Sequence, residues 1–390
     1  SGPPMIGQRV RVLKISDVFL PRINGVSTSI DTVRYELENR GHEVSLVAPR
    51  YESEPSNGVV RVPARRVVGD PEDRMMKVRV LRRLVRDFAS RIDLIHVHTP
   101  FIAHYEGIRM ARRWSVPVVG TYHTHFEEYL HHYVPFVPKP GLRALARRQA
   151  RRQCSQLNQV IVPSRQMAEV LEGYGARADL RVIPTGLSPA AFEPGDGSRF
   201  RQAHGIDEDR PTLVHVGRLA FEKNIDFLLR VVAEVRRSEP RILLILAGEG
   251  PAARSLRRLV ARLGLTSNVV FVGYLSRLPD LLDCYRAGMA FVFASRTETQ
   301  GLVLLEAMAQ SVPVVSTASL GTKDIVLPRR GALVAQESSE DFSRKVLFLL
   351  ENPEYRLARG EEARRFARTW SSSAMANRLL AVYRGMLAGN

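Results

Sequence analysis

Ser295-Arg-Thr-Glu-Thr-Gln-Gly-Leu-Val-Leu-Leu-Glu306 follows the apolar run Met289–Phe293 and leads into a helical pattern that reaches Ala309. It carries two carboxylates, Glu298 and Glu306, eight positions apart around Gly301. A second charged segment, Gly217-Arg-Leu-Ala-Phe-Glu-Lys-Asn224, also stands just past an apolar run, Thr212–Val216. A strand followed by a glycine turn and a helix start presents free backbone N–H groups to an anion, and Arg218 and Lys223 would add full positive charge against a diphosphate. Glu306, two turns into the helix, is placed to accept hydrogen bonds from ribose hydroxyls. Without the cations, the ordinary reading of the glutamates is a solvated strand end and an exposed helix carboxylate. Arg218 and Lys223 alone would read as a surface ion-pair cluster with Glu222. The two segments together point to a nucleoside-diphosphate site.

The same alternation runs along the whole chain. Val10–Ile15 reads as a strand, the loop Pro21 to Val26 precedes a helix from Ser27 to Asn39, and Gly41–Ala48 returns as a strand. Strand, glycine loop, helix and strand is the pattern of a parallel βαβ unit. Further strands are expected at Leu94–Val97, Val116–Thr121 and Gln159–Val162, then at Thr212–Val216, Ile242–Ala247, Val269–Val272, Met289–Phe293 and Val312–Thr317. Pro184, Gly186, Pro189, Pro194, Gly195 and Gly197 cluster at a domain junction. The expectation is an α/β chain with domains over 5–190 and 197–369. Both would be doubly wound parallel sheets, facing each other across a cleft with ligands at the carboxyl ends of the strands.

Composition narrows the partners. A chain of 390 residues with 45% hydrophobic content is long enough for two cores. Its two cysteines, Cys154 and Cys284, are far apart, which fits a reducing compartment. No apolar run is long enough to span a bilayer and no secretory signal pattern opens the chain, so a cytoplasmic protein is expected. The formal charge of +17 favours anionic partners. No nucleic-acid motif accompanies it, so nucleic acid is not the expected partner. Leu142 to Arg152 is a helical segment with Arg143, Arg147, Arg148, Arg151 and Arg152 and no acid. Arg79, Arg82, Arg83 and Arg86 recur around Val80, Leu81, Leu84 and Val85. A helix with an apolar stripe and a cationic face can lie on an anionic membrane; the plainer reading is a solvated face.

Seven of the ten histidines lie between His96 and His132, which raises a metal site. No spaced Cys, Asp or Glu completes a ligand set, and Asp207-Glu-Asp209 reads as a solvated loop, so no metal or other cofactor is expected.

At this point the motifs carry a resemblance. Asn24-Gly-Val26, His98-Thr-Pro-Phe101, Gly120-Thr-Tyr-His-Thr-His125, Ile183-Pro-Thr-Gly186, Gly217 to Asn224, Ala247-Gly-Glu-Gly250 and the Glu298/Glu306 pair resemble, in order and spacing, the retaining glycosyltransferases of family 4. The resemblance implies the GT-B fold of two Rossmann-like domains, with the C-terminal helix 371–388 completing the first. It implies a nucleotide-sugar donor, UDP-glucose or GDP-mannose, held by Asn24, Gly25, Val26, Gly217, Arg218, Lys223, Glu298, Gln300, Gly301, Leu302, Val303 and Glu306. Arg218 and Lys223 would neutralise the leaving phosphate, Glu298 would hold sugar hydroxyls, and His123 would lie on the opposite wall near the reacting centre. His98, His125 and Tyr129 become acceptor-side candidates.

The wording of Tyr122–Leu130 and Thr297–Glu306 is most similar to transferases that glycosylate diacylglycerol-type lipids, which implies action at the inner face of the plasma membrane. Ser311 stands where the family usually has glycine, Ser188 where an acid often follows the Thr-Gly turn, and Gln300 where many relatives carry an aromatic; these departures bear on acceptor and subgroup. A soluble or polyprenyl-linked sugar acceptor is the alternative. Rivals from other classes are a non-catalytic nucleotide or nucleic-acid binder, a sugar-nucleotide epimerase and a dinucleotide oxidoreductase. The last needs a Gly-x-Gly-x-x-Gly loop that is missing after the first strand.

Overall fold

The computed structural model describes residues 7–20, 25–51, 58–67, 70–123, 138–176, 179–275, 279–298 and 300–389. The chain divides into two compact units, residues 1–186 with 372–390, and residues 187–371.

The first unit is built on seven parallel strands: β1 (Arg11–Ile15), β2 (Glu43–Pro49), β3 (Val59–Val62), β6 (Leu94–Val97), β7 (Val118–Thr121), β8 (Gln159–Val162) and β9 (Leu180–Val182), in the order β3-β2-β1-β6-β7-β8-β9. Alternate residues serve opposite faces. Val12, Leu94, Val119 and Ile161 pack with Leu37, Ala376, Leu380 and Tyr383 of the helices Gly25–Asn39 and Ser372–Ala388. Leu13, Ile95, Val97 and Val160 point the other way, into a core with Leu81, Met110, Ala146 and Met167. The C-terminal helix is tied down by polar contacts as well: the Ser372 hydroxyl donates to Glu36 Oε1 at 2.9 Å, and Arg40 donates to the Ser373 carbonyl at 3.0 Å.

The second unit repeats the plan with β10 (Thr212–Val216), β11 (Leu243–Ala247), β12 (Val269–Gly273), β13 (Ala290–Phe293), β14 (Val314–Ser316) and β15 (Ala332–Val334), all parallel, in the order β12-β11-β10-β13-β14-β15. That order puts β13 beside β10 at the centre of the sheet, so the loops after these two strands emerge next to each other at its carboxyl end.

Four features were not anticipated from the sequence: β3, β9, β15 and the antiparallel pair β4 (Ala64–Val67) and β5 (Asp70–Met76). The three sheet strands are three or four residues long and all three lie at sheet edges, so none carries a long apolar run.

Candidate functional site

In the second unit, the segments after β10, β11 and β13 converge through backbone contacts. Gly217 has φ +154° and its N–H donates to the Ala247 carbonyl at 3.0 Å. A Cβ on Gly248 would lie 1.9 Å from the Gly217 oxygen, and one on Gly250 would lie 2.4 Å from the Leu219 oxygen. Only glycines let the Ala247–Gly250 loop press against the Gly217–Leu219 loop. Asn224, in the left-handed region at φ 57°, ends a single 3-10 turn (Phe221–Lys223) and starts the helix Ile225–Arg236. Its side chain is buried and donates to the Ala294 carbonyl at 3.1 Å and Glu337 Oε1 at 2.8 Å. Glu337 also takes a bidentate pair from Arg296, at 2.7 and 2.6 Å, which holds its carboxyl below the usual range.

This framing brings Lys223 and Glu298 together. Lys223 Nζ donates to Glu298 Oε2 at 3.0 Å, while Glu298 Oε1 accepts the Gly301 N–H at 3.2 Å. The partner of Lys223 is Glu298, not the neighbouring Glu222. Gly301, at φ 66°, starts the helix Leu302–Ala309 with no side-chain cap, so the N–H groups of Leu302 and Val303 open that helix free of an intrahelical partner. Gln300 Oε1 is buried with no hydrogen-bond partner among the described residues. Arg218, in the loop after β10, is exposed, and no ion pair holds it among the described residues. Further along the helix, the buried Tyr285 hydroxyl donates to Glu306 Oε2 at 2.6 Å, and burial together with that carboxylate pushes the phenol's pKa well up. Free N–H groups, a mobile-length guanidinium, an ammonium and an acceptor two turns away suit a diphosphate with a diol beyond it.

In the first unit, Gly25 opens the helix Gly25–Asn39, and Val26 is buried with Phe19 and Ile30. Asn24, His125 and Tyr129 lie outside the described residues. His98 follows β6 and His123 follows β7. His98 Nδ1 and His123 Nε2 share a hydrogen bond at 3.1 Å, and His98 Nε2 lies 3.4 Å from Lys14 Nζ. His96 stacks on His98 with ring centroids 4.0 Å apart and is fixed by the Tyr383 and Thr121 hydroxyls, both at 2.6 Å. His98 is buried inside this group and, with Thr99, Gly120 and His123, lines a small cavity at the ends of β6 and β7. Burial, reinforced by the Lys14 charge, depresses all three imidazoles, His123 to about 3, so they are neutral. Nearby, Asp17 caps the helix Ile102–Trp114 through the Ala103 N–H at 3.2 Å and accepts from Thr99 at 2.5 Å; its burial raises its pKa to about 6.

Lys14, His96, Tyr285 and Glu337 were not foreseen. A signal existed for the first two, since Lys14 shares its strand face with Val12, and His96 shares its face with Leu94 and His98. Among the described residues, no group of three or more His, Cys, Asp or Glu is arranged to hold a metal ion.

The arginine helix is Lys139–Gln156. Arg143, Arg147, Arg148, Arg151 and Arg152 are all exposed. Its apolar stripe, however, is committed: Leu142, Ala146, Ala150 and Cys154 are buried, the last three in the core cluster. Only Leu145 stands out on its exposed side, with Tyr105 of the neighbouring helix beside exposed Arg112 and Arg113. Arg82, in the other basic segment, is held by Glu106 at 2.8 and 3.0 Å, and Leu81 and Val85 are buried, so that segment is not an unpaired amphipathic face either. No described helix is long and apolar enough to cross a membrane.

The family described as Glycosyltransferase Family 4 matches residues 23–191, and that described as Glycosyl transferases group 1 matches residues 196–366. An alpha-monoglucosyldiacylglycerol synthase from Streptococcus pneumoniae is 30% identical over 319 residues, covering 79% of this chain and 71% of that protein. A sulfoquinovosyl transferase from Arabidopsis thaliana is 32% identical over 296 residues, covering 72% of this chain and 54% of that protein. The solved structure of Anabaena HepE in complex with UDP aligns with 96% of this chain and 99% of its own, with a TM-score of 0.67 at 18% identity, a likeness of fold.

Proposed function

The chain belongs to glycosyltransferase family 4 and has the GT-B fold, and on that premise we propose that it moves a hexose, glucose or mannose, from a nucleotide diphosphate sugar to a hydroxyl of a diacylglycerol-type lipid. The observation that carries the donor half is the chain Lys223–Glu298–Gly301, which sets an ammonium, a carboxylate and an uncapped helix start within hydrogen-bonding distance of one another. Arg218, Lys223 and the Leu302 and Val303 N–H groups bind the diphosphate, with Gly217 keeping the backbone low beneath it. Glu298 and Gln300 take sugar hydroxyls and Glu306 takes the ribose. In the first unit, Asn24, Gly25 and Val26 are donor-binding residues, with glycine permitting close backbone approach to a phosphate, and His123 meets the transferred sugar. The anomeric C–O bond to the β-phosphate breaks as the acceptor oxygen bonds to the same carbon from the same face. The acceptor proton passes to a phosphate oxygen, so configuration is retained and no metal is needed.

The lipid acceptor is supported by the lipid glycosyltransferases among the relatives, and a membrane-peripheral site of action by the exposed arginines of Lys139–Gln156 with Arg112 and Arg113. The purified chain is incubated with UDP-glucose, GDP-mannose and their congeners, diacylglycerol vesicles and EDTA, and the product's anomeric coupling is read by NMR. One donor should give an α-linked glycolipid. An inverted product, or a requirement for divalent metal, would overturn the mechanism; transfer only to soluble sugars would overturn the acceptor.

A further inference from the structure

One face of the N-terminal sheet changes character along its strands. It presents Val12, Leu94 and Val119 to the helices Gly25–Asn39 and Ser372–Ala388. Two residues further along the same strands come Lys14, His96 and Thr121, with Lys14 and His96 paired in register, and past the strand ends come His98 and His123. Lys14 is 1% exposed, His96 2% and His98 4%. No carboxylate among the described residues pairs with Lys14; its one hydrogen-bond partner is His98. A buried ammonium with no carboxylate partner is costly, and its replacement by an apolar side chain would be the simpler core.

The charge has a directional consequence. An ammonium carries only donors. His98 Nε2 must then accept from Lys14, which leaves the single proton of the neutral His98 ring on Nδ1. That proton is donated to His123 Nε2, so the proton of His123 sits on its own Nδ1. A neutral amine, able to donate or accept, would leave both tautomers open. The neighbouring His96, which also feels the Lys14 charge, does not compete: it is engaged on both nitrogens by Tyr383 and Thr121.

We propose that Lys14 is a positioning residue for glycosyl transfer: its buried ammonium acts through His98 to hold the His123 ring in place with its proton on Nδ1, so that His123 offers the transferred sugar a hydrogen-bond donor and not a lone pair. The inference rests on the proposed reading, in which His123 meets that sugar.

The test has two readouts. In the full chain labelled with ¹⁵N-histidine, long-range ¹H–¹⁵N spectra report each ring's tautomer, with His98→Gln and His123→Gln assigning the signals. Below pH 7 both rings should be Nδ1–H, and Lys14→Met should abolish that preference for both. The preference should also fade in the wild type as Lys14 deprotonates around its pKa of about 7, which needs no variant to fold. In the transfer assay, Lys14→Met should lower kcat about tenfold or more while donor KM stays within about twofold, because only the reacting geometry changes. Lys14→Arg, which cannot lose its charge, should keep more of kcat and lack the wild type's decline above neutrality. An Nε2–H tautomer at His123, tautomers indifferent to Lys14→Met, or an unchanged kcat would each overturn the proposal. A wild type that transfers no sugar from any donor would instead sink the glycosyltransferase reading, and the spectra would still decide what Lys14 does to His123.

Discussion

Lys223 and Glu298 are 75 positions apart in the chain and 3.0 Å apart in the fold, and the same carboxylate also accepts the N–H of Gly301 at the start of the helix Leu302–Ala309. Both side chains are largely sheltered, with relative exposures of 25% and 18%. The contact exists because β10 and β13 are neighbours in the sheet. Glu298 therefore holds the Lys223 ammonium in place; under the proposed function this would lower the reorganisation needed when negative charge develops on the leaving group.

Lys223→Ala should accordingly lower kcat by about 10²-fold or more, with a smaller loss of donor affinity, as expected for a group that acts on developing charge. Steady-state kinetics with saturating acceptor separates the two effects. Equal losses in kcat and affinity would assign Lys223 to ground-state binding instead. Because the pair shares one hydrogen bond, Lys223→Ala and Glu298→Gln should be non-additive in a double-mutant cycle, by about 1 kcal/mol or more.

The Tyr285–Glu306 contact makes a second, separable prediction. Glu306→Ala should weaken donor binding by roughly 1.5–3 kcal/mol, the worth of a hydrogen bond to a charged group. It should also lower the melting temperature, because the buried Tyr285 hydroxyl loses its acceptor. Tyr285→Phe removes that hydroxyl with little change in shape. It should leave stability closer to the wild type and reduce donor affinity only as far as Glu306 loses its orientation. Calorimetric titration of the nucleotide diphosphate, with thermal melts of both variants, distinguishes ribose binding from packing. Donor affinity unchanged in Glu306→Ala would remove Glu306 from the site.

Much of this could be read along the chain, and the part that could not has a common cause. Gly217–Asn224 and Ser295–Glu306 stand out because charged residues interrupt the pattern directly after apolar runs, where an α/β fold gathers its ligands. That Lys223 reaches Glu298 depends on strand order, which no local pattern specifies. Tyr285 reads as one more apolar helix residue until the position of Glu306 is known. Lys14 was hidden because a parallel strand is buried on both faces, so a polar residue within it does not mark the solvent side. The helix Lys139–Gln156 was legible as amphipathic. Its stripe of Leu142, Ala146, Ala150 and Cys154 did not reveal whether it faced the protein or a membrane; the core takes it.

That assignment sharpens the membrane prediction, since attraction then rests on charge more than on inserted apolar surface. Replacing Arg147, Arg148, Arg151 and Arg152 with Gln should remove roughly 1 kcal/mol of attraction per residue to anionic vesicles, and so most binding at physiological salt. Wild-type binding should itself fall steeply as salt rises. The four side chains are exposed, so the melting temperature should change little, apart from a small loss where Arg147 lies over the Tyr174 ring at 5.8 Å. Vesicle co-sedimentation over a salt series gives the answer, and salt-insensitive binding by the variant would locate the membrane contact elsewhere.

Lys14 makes the last prediction through stability alone. Burial lowers its pKa from 10.5 to about 7. Between those values the unfolded chain holds a proton that the folded chain has released, so stability gains from this group as pH rises through that window. Below pH 7 the lysine is charged in both states, and the full cost of burying the ammonium is borne by the fold. The shift corresponds to at most about 5 kcal/mol, at 1.36 kcal/mol per pKa unit. Lys14→Met should therefore melt higher than the wild type at pH 6, and the advantage should shrink steadily toward pH 10.5, where a neutral amine and a thioether cost the fold similar amounts. Denaturant unfolding of both proteins across this range measures the difference directly. A gap that does not narrow with pH would mean that Lys14 keeps an ordinary pKa in the fold, and that its ammonium is compensated by an anion or water not among its described partners.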